Sequence, residues 1–322
     1  MNRIRVGVLR GGPSRENEVS LKTGSSVLRN LSEDKYDTRD ILITKDGTWH
    51  YRGLPVEPKQ VFLNVDVIFN ALHGEYGEDG QVQRILSHFN VPYTGSQSFQ
   101  SAVCMNKACT KEGLFDIKVQ TARHVILDVC NDIEKKKLEV FRTFPQPCVI
   151  KPLSGGSSVG VTAAKDHSSF DEGIRKAFEY SPRVLIEEYI AGREATCGVI
   201  ENFRDRDVYS LLPIQIIPDS EQPFFDYEAK YQGKSRELCP GNFSKEENRE
   251  LQRLAREIHK TLNLRHYSRS DFIISNKGIY FLEVNTLPGL TEASLITKSL
   301  GAVGSSLPEF LDHVISLALE EG

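Results

Sequence analysis

The sequence predicts an α/β protein whose N-terminal part folds around a mainly parallel sheet. Three observations support this prediction: a length of 322 residues, alternating strand and helix patterns over residues 1–100, and an ordinary composition. At roughly 100 to 200 residues per domain, the chain has room for two or three domains. Hydrophobic residues make up 39% of the chain and charged residues 26%, as is typical of a soluble globular protein.

Charge, hydropathy and cysteine spacing exclude several classes of protein. The formal net charge of −4 gives no reason to expect binding to nucleic acid or to a membrane surface. No apolar run reaches the roughly 18 residues that a membrane-spanning helix needs, and the N-terminal strand is too short for a signal peptide. The six cysteines form no CxxC pair and have no histidines at zinc spacing, so we expect reduced, mostly buried thiols in a cytoplasmic protein.

The elements follow each other as an α/β domain requires. Strands are predicted at IRVGVL, DILIT, VDVIFNAL, CVIKP, RVLIEEYI and ATCGVI. Helices are predicted near 17–30 and 80–89, over 101–115 with Lys107, over 245–264 with a core-facing apolar stripe, and near 307–320. We place the domain boundaries near residues 100 and 185, which gives domains of 1–100, 101–185 and 186–322.

The first strand runs into a glycine-rich turn, GGPSRENEVSL, that precedes a helix. Such a turn is typical of a dinucleotide site, but the GxGxxG pattern is missing and Glu16 lies where the first helical turn begins. A carboxylate there suits the helix dipole and would repel a phosphate. Two interpretations stay open: Ser14 and Glu16 cap the helix, or Glu16 binds an ammonium group, with Ser20 one turn further along the same face.

Two further loops carry groups that could bind a substrate. ALHGEYGEDG places His73 at a strand end, directly before glycines that permit a close approach. CVIKP places Lys151 at a strand end directly before the small residues 155–160 (GGSSVG), which can turn backbone N–H groups towards a phosphate. A structural histidine and a flexible Gly/Ser linker are the alternatives.

Two carboxylates flank the turn that is predicted at Gly192. Glu187 and Glu194 lie in a strand–turn–strand segment, VLIEEYIAGRE. They could accept hydrogen bonds from a nucleobase amine and from ribose hydroxyls, or they could belong to a solvated hairpin. Spacing alone does not decide between the two.

The stretch FLEVNTLPGL places Glu283 and Asn285 on one face of a strand, because successive side chains point to opposite faces. A hairpin centred on Lys277 pairs residue 275 with 279, 273 with 281 and Asp271 with Glu283, unless a bulge shifts the register by one. Three oxygen ligands then meet on one patch, which suits a hard cation such as Mg²⁺. A polar cluster at a strand end is the alternative.

The order of these motifs resembles the D-alanine–D-alanine ligase family, a branch of the ATP-grasp ligases. The matching stretches run from Gly11 to Leu295 and include ALHGxxGEDG, KP-x₂-GGSSVG, IEEYIxGRE, FDYEAKY, RSDF and LEVNTLPGLT. HGxxGEDG, FDYEAKY and EVNTxPG are specific to this branch. The resemblance implies a three-domain ATP-grasp fold, α/β in the N-terminal part and α+β in the rest, with ATP held between two antiparallel sheets.

The resemblance also implies roles for the matching residues. The phosphates of ATP would contact Lys107, Lys151, Ser157, Ser158 and Lys230, while Glu187 and Glu194 would bind adenine and ribose. Two Mg²⁺ ions, or Mn²⁺, would be held by Asp271, Glu283 and Asn285. The two D-alanine substrates would contact Glu16 and His73, and Ser294 and Leu295, respectively. The oxyanion would be stabilised by Arg269 and the backbone N–H of Gly289, under a lid in which Tyr231 links to Ser157 and Glu16.

The implied activity joins two D-alanine molecules at the expense of ATP, through a D-alanyl phosphate, for peptidoglycan synthesis. The enzyme would be a homodimer acting on small molecules only, and no role follows for the lid charges Lys234, Arg236 and Glu237. Tyr231 and the apolar Leu295 favour D-alanine as second substrate, with D-lactate or D-serine as the nearest alternative.

Two other classes of protein fit the sequence less well. A non-catalytic ATP-binding regulator would lack one of Lys151, Arg269, Asp271 or Glu283, and all four are present. An NAD-dependent dehydrogenase would carry GxGxxG, which is missing after the first strand.

Overall fold

The computed structural model describes residues 3–156, 159–218 and 235–320, and these ranges form three sheets. The N-terminal sheet contains β1 (Ile4–Gly11), β2 (Tyr36–Ile43), β3 (Trp49–Tyr51), β4 (Leu54–Pro55) and β5 (Val67–Asn70). The central sheet contains β7 (His124–Asp128), β8 (Cys148–Pro152), β9 (Thr162–Ala164) and β10 (Arg183–Glu188). The C-terminal sheet contains β6 (Gln120–Thr121), β11 (Arg193–Phe203), β12 (Arg206–Ser210), β13 (Ile214–Pro218), β14 (Ser235–Leu238), β15 (Tyr267–Ser275) and β16 (Gly278–Asn285).

Helices cover these sheets and connect their strands. They are α1 (Asn17–Asn30), α2 (Pro58–Phe62), α3 (Gln81–His88), α4 (Ser98–Met105), α5 (Lys107–Gly113), α6 (Ile133–Thr143), α7 (His167–Phe178), α8 (Lys245–Thr261), α9 (Leu295–Ala302) and α10 (Leu307–Glu320). In the described ranges, none of these helices has the length and apolarity to cross a membrane.

The N-terminal sheet confirms the predicted α/β pattern. Strand β1 lies between β2 and β5 and pairs with both in parallel. Val6, Val8 and Leu9 of β1 are fully buried, as expected for a parallel strand that is covered on both faces. The two helices predicted near 17–30 and 80–89 correspond to α1 and α3.

The central and C-terminal sheets are antiparallel, apart from the short parallel pair of β6 with β16. The two strands predicted around Gly192 do not form a hairpin, because β10 belongs to the central sheet and β11 to the C-terminal sheet. Gly192 lies in the crossing, where an added Cβ would come within 2.3 Å of the Ile274 carbonyl oxygen. The predicted boundary at residue 185 falls inside strand β10. The division into three domains at residues 100 and 185 stays a prediction.

The helix predicted over 101–115 is two helices, α4 and α5. Asn106 separates them with extended backbone angles, φ −97° and ψ 106°, and its side chain accepts from the backbone N–H groups of Ala108 and Cys109. An asparagine is among the best N-capping residues, which explains a new start at this position. The break makes Lys107 the first residue of α5 rather than a mid-helix residue.

The β15–β16 hairpin confirms the predicted pairing of Asp271 with Glu283 but not the pairs nearer the turn. Ser275 pairs with Gly278 and Phe272 with Phe281, one residue away from the prediction. A bulge on β16, opposite the step from Asp271 to Phe272, restores the register. The extra residue also aims both Leu282 and Glu283 into the neighbouring cleft.

Two helices pack on the C-terminal sheet through apolar cores, and one of them, α10, also connects it to the N-terminal sheet. Helix α8 packs on the C-terminal sheet with the predicted stripe of Leu251, Ala255, Ile258 and Leu262 buried. Helix α10 shares one core with the N-terminal sheet and with β11 and β15, and its Phe310 ring meets Tyr267 edge-on with centroids 5.2 Å apart. Burial of such a side chain stabilises the fold by about 1.5–3 kcal/mol.

The six cysteines are free thiols within the described residues. Cys104, Cys148 and Cys197 are buried, whereas Cys109 is exposed and the other two are partly exposed. The expectation of mostly buried thiols therefore holds for half of them. Burial raises the pKa of Cys148 to about 11.

Candidate active site

A cleft opens between the central and C-terminal sheets, and loops of the N-terminal part contribute to its lining. Six of the residues predicted from the sequence lie on its walls: Glu16, Lys107, Lys151, Glu187, Glu194 and Glu283. They come from strands of both sheets, from the start of α5 and from the turn before α1. The fold thus brings together residues that are up to 267 positions apart in the sequence, from Glu16 to Glu283.

The central sheet and helix α5 together form a buried cluster of one carboxylate and two ammonium groups, in which Glu187 and Lys151 come from the sheet and Lys111 from the helix. One oxygen of Glu187 lies 2.5 Å from Lys151 Nζ, and the other forms an ion pair with Lys111. Lys111 also donates to the carbonyl oxygen of Ala122 at 3.2 Å. Burial opposes the ionisation of Glu187, but attraction by Lys151 and Lys111 outweighs it and lowers the pKa of Glu187 to about 2.

Lys107 joins the two walls of the cleft. Its Nζ donates to the Gly155 carbonyl oxygen at 2.6 Å and lies 3.5 Å from Glu283 Oε2. Its backbone N–H donates to the Leu153 carbonyl oxygen, which fixes the start of α5 against the glycine-rich loop. Burial lowers the pKa of Lys107, and Glu283 acts in the opposite direction. Lys107 is therefore a desolvated cation rather than a surface lysine.

The C-terminal sheet brings the three predicted metal ligands together beside Arg269. The Arg269 guanidinium contacts both oxygens of Asp271 at 2.9 Å, and Asn285 Nδ2 donates to Asp271 Oδ2 at 3.2 Å. Thr196 donates to Asp271 Oδ1 at 2.5 Å. Asp271 is almost fully buried, whereas Glu283 lines the cleft.

These residues fit a hard cation by their chemistry, since two carboxylates and one carboxamide supply oxygen donors at adjoining strand positions. Among the described residues, no group of three or more His, Cys, Asp and Glu side chains forms a metal site. A cation held here would therefore also need the carboxamide oxygen of Asn285 and oxygens of a bound substrate, as is common for Mg²⁺.

Glu16 reaches the cleft from the N-terminal part. It precedes α1 but makes no capping hydrogen bond with its side chain, and its backbone N–H donates to Ser14 Oγ at 3.1 Å. The Glu16 carboxylate therefore does not cap α1, whereas the Ser14 hydroxyl does accept from a backbone N–H at the helix start. Binding of an ammonium group by Glu16 stays a prediction. Burial and the charge of Glu283 raise the pKa of Glu16 to about 7, against the effect of Lys107 and Arg269.

Ser20 does not accompany Glu16 into the cleft. Its hydroxyl accepts from the Gly11 backbone N–H and donates to the Ala71 carbonyl oxygen, both at 2.8 Å. It holds β1 and the end of β5 in place, which is a structural role.

His73 is buried next to α1 and the loop that follows β16. Its Nε2 lies 2.8 Å from Thr23 Oγ1, and its ring is hydrogen-bonded to the backbone of Leu287. Burial lowers the pKa of His73 to about 4, so the ring is neutral at pH 7. Through its hydrogen bonds to Thr23 and Leu287, the neutral ring connects helix α1 to the loop that follows β16.

The remaining predicted residues lie around the loop that follows β16. Ser294 caps α9 by position, its Oγ accepts from the Thr291 backbone N–H at 2.9 Å, and Leu295 begins the helix. An added Cβ at Gly289 would come within 3.1 Å of Ser294 Oγ, so Gly289 permits a close approach. Ser157, Ser158, Lys230 and Tyr231 lie outside the described residues, as does Lys234.

Sequence reasoning missed two ionisable groups, the buried Lys111 and the half-buried Glu78. Lys111 lies four residues after Lys107 and thus on the same helix face, a signal that could have revealed it. Glu78 belongs to the GEDG part of the ALHGEYGEDG loop, and nothing in the spacing of that loop sets it apart from its neighbours Glu75 and Asp79. Of the lid charges without a role, Glu237 pairs with Lys298 at 2.5 Å.

Fold and cleft together define a class of protein. In the described part of the chain, two mainly antiparallel sheets enclose a cleft lined by lysines and carboxylates. They lie beside an α/β domain whose sheet is mainly parallel, and this is an ATP-grasp fold. Residues 5–60 and 53–96 match the family model described as D-ala D-ala ligase N-terminus, and residues 115–316 match D-ala D-ala ligase C-terminus. The chain belongs to the D-alanine–D-alanine ligase family.

Similarity to individual relatives extends over the whole chain. The D-alanine–D-alanine ligase of Clostridium beijerinckii is 35% identical over 323 residues, covering 98% of this chain and 99% of the relative. The solved structure of the VanG D-Ala:D-Ser ligase from Enterococcus faecalis has a TM-score of 0.86 at 30% identity, covering 98% of this chain and 100% of that one. The D-alanine–D-alanine ligase from Bacillus anthracis has a TM-score of 0.79 at 32% identity, covering 99% and 100%.

Proposed function

We propose that this chain is an ATP-dependent ligase that joins two D-alanine molecules and releases ADP and phosphate, for peptidoglycan synthesis in the cytoplasm. The observation that carries the proposal is a single cleft in which Glu16, suited to an ammonium group, interacts electrostatically with Lys107 and Glu283. This arrangement supports an amino-acid site next to a nucleotide site. We extend the proposal to a homodimer whose other partners are small molecules.

In the first step, a carboxylate oxygen of the first D-alanine attacks the γ-phosphorus of ATP, and ADP leaves with the electrons of the broken P–O bond. Glu16 holds the ammonium group of this D-alanine. Lys107 and Lys151 attract the phosphates, and because both are buried, their charge acts more strongly than in water. Lys230, Ser157 and Ser158 are proposed to complete this phosphate site.

Glu187 and Glu194 have different parts in this proposal. Both oxygens of Glu187 contact lysines, so Glu187 orients Lys151. In this proposal, one of these oxygens also accepts a hydrogen bond from the adenine amine. Glu194 lies on the opposite wall, at the start of β11, and accepts from ribose.

Asp271, Glu283 and Asn285 would hold the divalent cations, which we propose to be two Mg²⁺ ions. When bound, these ions supply positive charge that neutralises the phosphate oxygens. Arg269 keeps the Asp271 carboxylate in one orientation through two hydrogen bonds.

In the second step, the amine of the second D-alanine attacks the carbonyl carbon of D-alanyl phosphate. The nitrogen loses a proton, and phosphate leaves with the electrons of the C–O bond. Arg269 and the Gly289 backbone N–H donate to the oxygen that becomes negative, and removal of one such donor typically costs about 10²–10³ in kcat. Tyr231 closes the lid over this step.

The second substrate has one alternative with an observation in its favour. The structural relative described above is a D-Ala:D-Ser ligase with a TM-score of 0.86. In this chain, the apolar Leu295 and its neighbour Ser294 are proposed to contact the second substrate. An apolar wall suits a methyl group, although it discriminates against a hydroxyl by only about 10²-fold.

The test is ADP release by the purified protein with ATP, Mg²⁺ and D-alanine, with mass spectrometry of the product. L-alanine, D-serine and D-lactate are assayed in parallel. Dipeptide from D-alanine alone is the expected result. If ADP is released only when D-alanine is combined with D-serine or D-lactate, the proposed second substrate is wrong and the proposed mechanism still holds. A folded protein that binds ATP but releases no ADP with any pair would overturn the proposal.

A further inference from the structure

One carboxylate connects the N-terminal part to the C-terminal sheet beside the proposed reaction centre. Glu78 Oε2 accepts from the Gly74 backbone N–H at 2.9 Å, and Glu78 Oε1 accepts from the Leu287 backbone N–H at 3.0 Å. Glu78 and Leu287 are 209 residues apart. No role follows for Glu78 from the proposed function.

On the C-terminal side, Glu78 contacts the loop that carries Gly289. Leu287 lies two residues before Gly289, and its backbone is also hydrogen-bonded to the His73 ring. On the other side of Gly289, the Leu290 carbonyl oxygen accepts from Ser26 Oγ at 2.8 Å. The segment is therefore held before and after Gly289, in each case by a side chain of the N-terminal part.

On the N-terminal side, Glu78 contacts the residue that packs against Glu16. An added Cβ at Gly74 would come within 2.7 Å of Glu16 Oε2, so the position of Gly74 limits where the Glu16 carboxylate lies. The φ angle of Gly74 is +69°, a left-handed conformation that glycine adopts without strain, so both the backbone and the space favour glycine here. The Glu78 carboxylate thus bridges two residues: Gly74, which packs against Glu16, and Leu287, which lies close to Gly289.

We propose that Glu78 is a positioning residue of the ligase reaction, which sets the Gly289 backbone N–H relative to Glu16 by accepting from Gly74 and Leu287. The inference rests on the proposed function. Glu78 touches neither substrate, and it acts through the two loops. A displacement of about 1 Å at a reaction centre costs on the order of 10²-fold in rate.

A carboxylate is the side chain that this position requires. Its two oxygens each accept from one of two converging backbone N–H groups. Burial and the charge of Glu16 raise the pKa of Glu78 to about 8, and the two N–H groups act in the opposite direction. A glutamine of nearly equal size would keep one of these bonds and turn its NH₂ group towards the other N–H. The shorter aspartate would not reach both loops.

The neighbouring Asp79 provides a matched control. It accepts from the backbone N–H groups of Tyr76 at 2.9 Å and Gln81 at 3.0 Å, so its contacts stay within the same loop and the start of α3. Asp79→Asn therefore removes a carboxylate of the same loop without touching Leu287.

The test compares wild type, Glu78→Gln and Asp79→Asn by steady-state kinetics. We expect Glu78→Gln to lower kcat for dipeptide formation about 10- to 100-fold, with the KM for ATP within about twofold of wild type, because the nucleotide walls are not touched. Asp79→Asn should keep kcat. A merely structural role would lower the folded fraction and leave kcat per folded molecule unchanged, and that result would overturn the proposal.

Hydrogen–deuterium exchange provides a measurement that does not need activity. We expect Glu78→Gln to speed amide exchange in the peptide spanning residues 285–290 and to leave β8 and β10 unchanged, whereas Asp79→Asn leaves both unchanged. Unaltered exchange at 285–290 would overturn the proposal. If wild type makes no dipeptide, the proposed function fails, and this measurement still decides whether Glu78 holds the loop.

Discussion

The two walls of the cleft carry their charges in different ways. On the central sheet, Glu187 and Lys151 are buried and paired with each other, and Lys111 completes the cluster. On the C-terminal sheet, Glu283 is partly exposed to the cleft, and its ion pair in the described residues is a longer contact of 3.5 Å with Lys107. The first wall pairs its carboxylate closely with two buried lysines, whereas the second leaves its carboxylate partly exposed to the cleft.

This difference predicts that loss of a carboxylate has opposite consequences on the two walls. Removal of a buried paired charge leaves its partners desolvated and costs stability. Removal of a charge that faces the cleft costs catalysis and leaves packing intact. The four predictions below test this separation.

Glu283→Gln should lower kcat by about 10³-fold or more, because the variant removes charge from the site where the phosphates are neutralised. The melting temperature should stay within about 2 °C of wild type, since a substitution at a partly exposed polar position typically changes stability by less than about 0.5 kcal/mol. Glu246→Gln, an exposed position on α8, is the control. Unchanged turnover in Glu283→Gln would remove Glu283 from the metal site.

Glu187→Gln should lower the free energy of unfolding by about 3 kcal/mol, because it leaves the ammonium groups of Lys151 and Lys111 buried beside each other. Urea denaturation measures this change, with Glu188→Gln, the partly exposed neighbour on the same strand, as control. A loss no larger than that of the control would show that the buried cluster does not stabilise the central sheet.

Arg269→Lys should lower kcat by about 10²-fold, since an ammonium group cannot reproduce the two parallel hydrogen bonds to Asp271. Arg193→Lys, whose ion pair with Glu247 lies at the surface, is the matched control and should keep kcat. Near-normal kcat in Arg269→Lys would argue against the oxyanion role of the guanidinium.

The stability difference between wild type and Glu187→Gln should depend on pH. The pKa of Glu187 is about 2 in the folded protein, below its ordinary value of 4.5. The ionised carboxylate therefore contributes its full stability above about pH 4.5, and this contribution is lost as the pH falls towards 2. Denaturation at pH 7 and at about pH 3.5 should show a smaller difference at the lower pH, and an equal difference would mean that Glu187 is not held ionised by its lysines.

Much of the site was predictable because strand and loop motifs are local in the sequence. The pairing of Asp271 with Glu283 followed from the hairpin between them, although the bulge shifted every pair nearer the turn. The break at Asn106 was not predicted, since asparagine is tolerated within helices and its capping role depends on the backbone angles that the chain adopts. The crossing at Gly192 was missed because a local pattern of two strands does not reveal which sheet each joins.

The sequence by itself determined the N-terminal α/β pattern, the family and the residue types of the site, because periodicity and motif spacing are properties of short segments. Only the tertiary structure decided which charges are buried together. Glu187 meets Lys151 and Lys111, and Glu78 meets Leu287, through contacts between elements 36 to 209 residues apart. The physical reason is that desolvation and pairing depend on which surfaces pack against each other, and a single segment does not specify its partner.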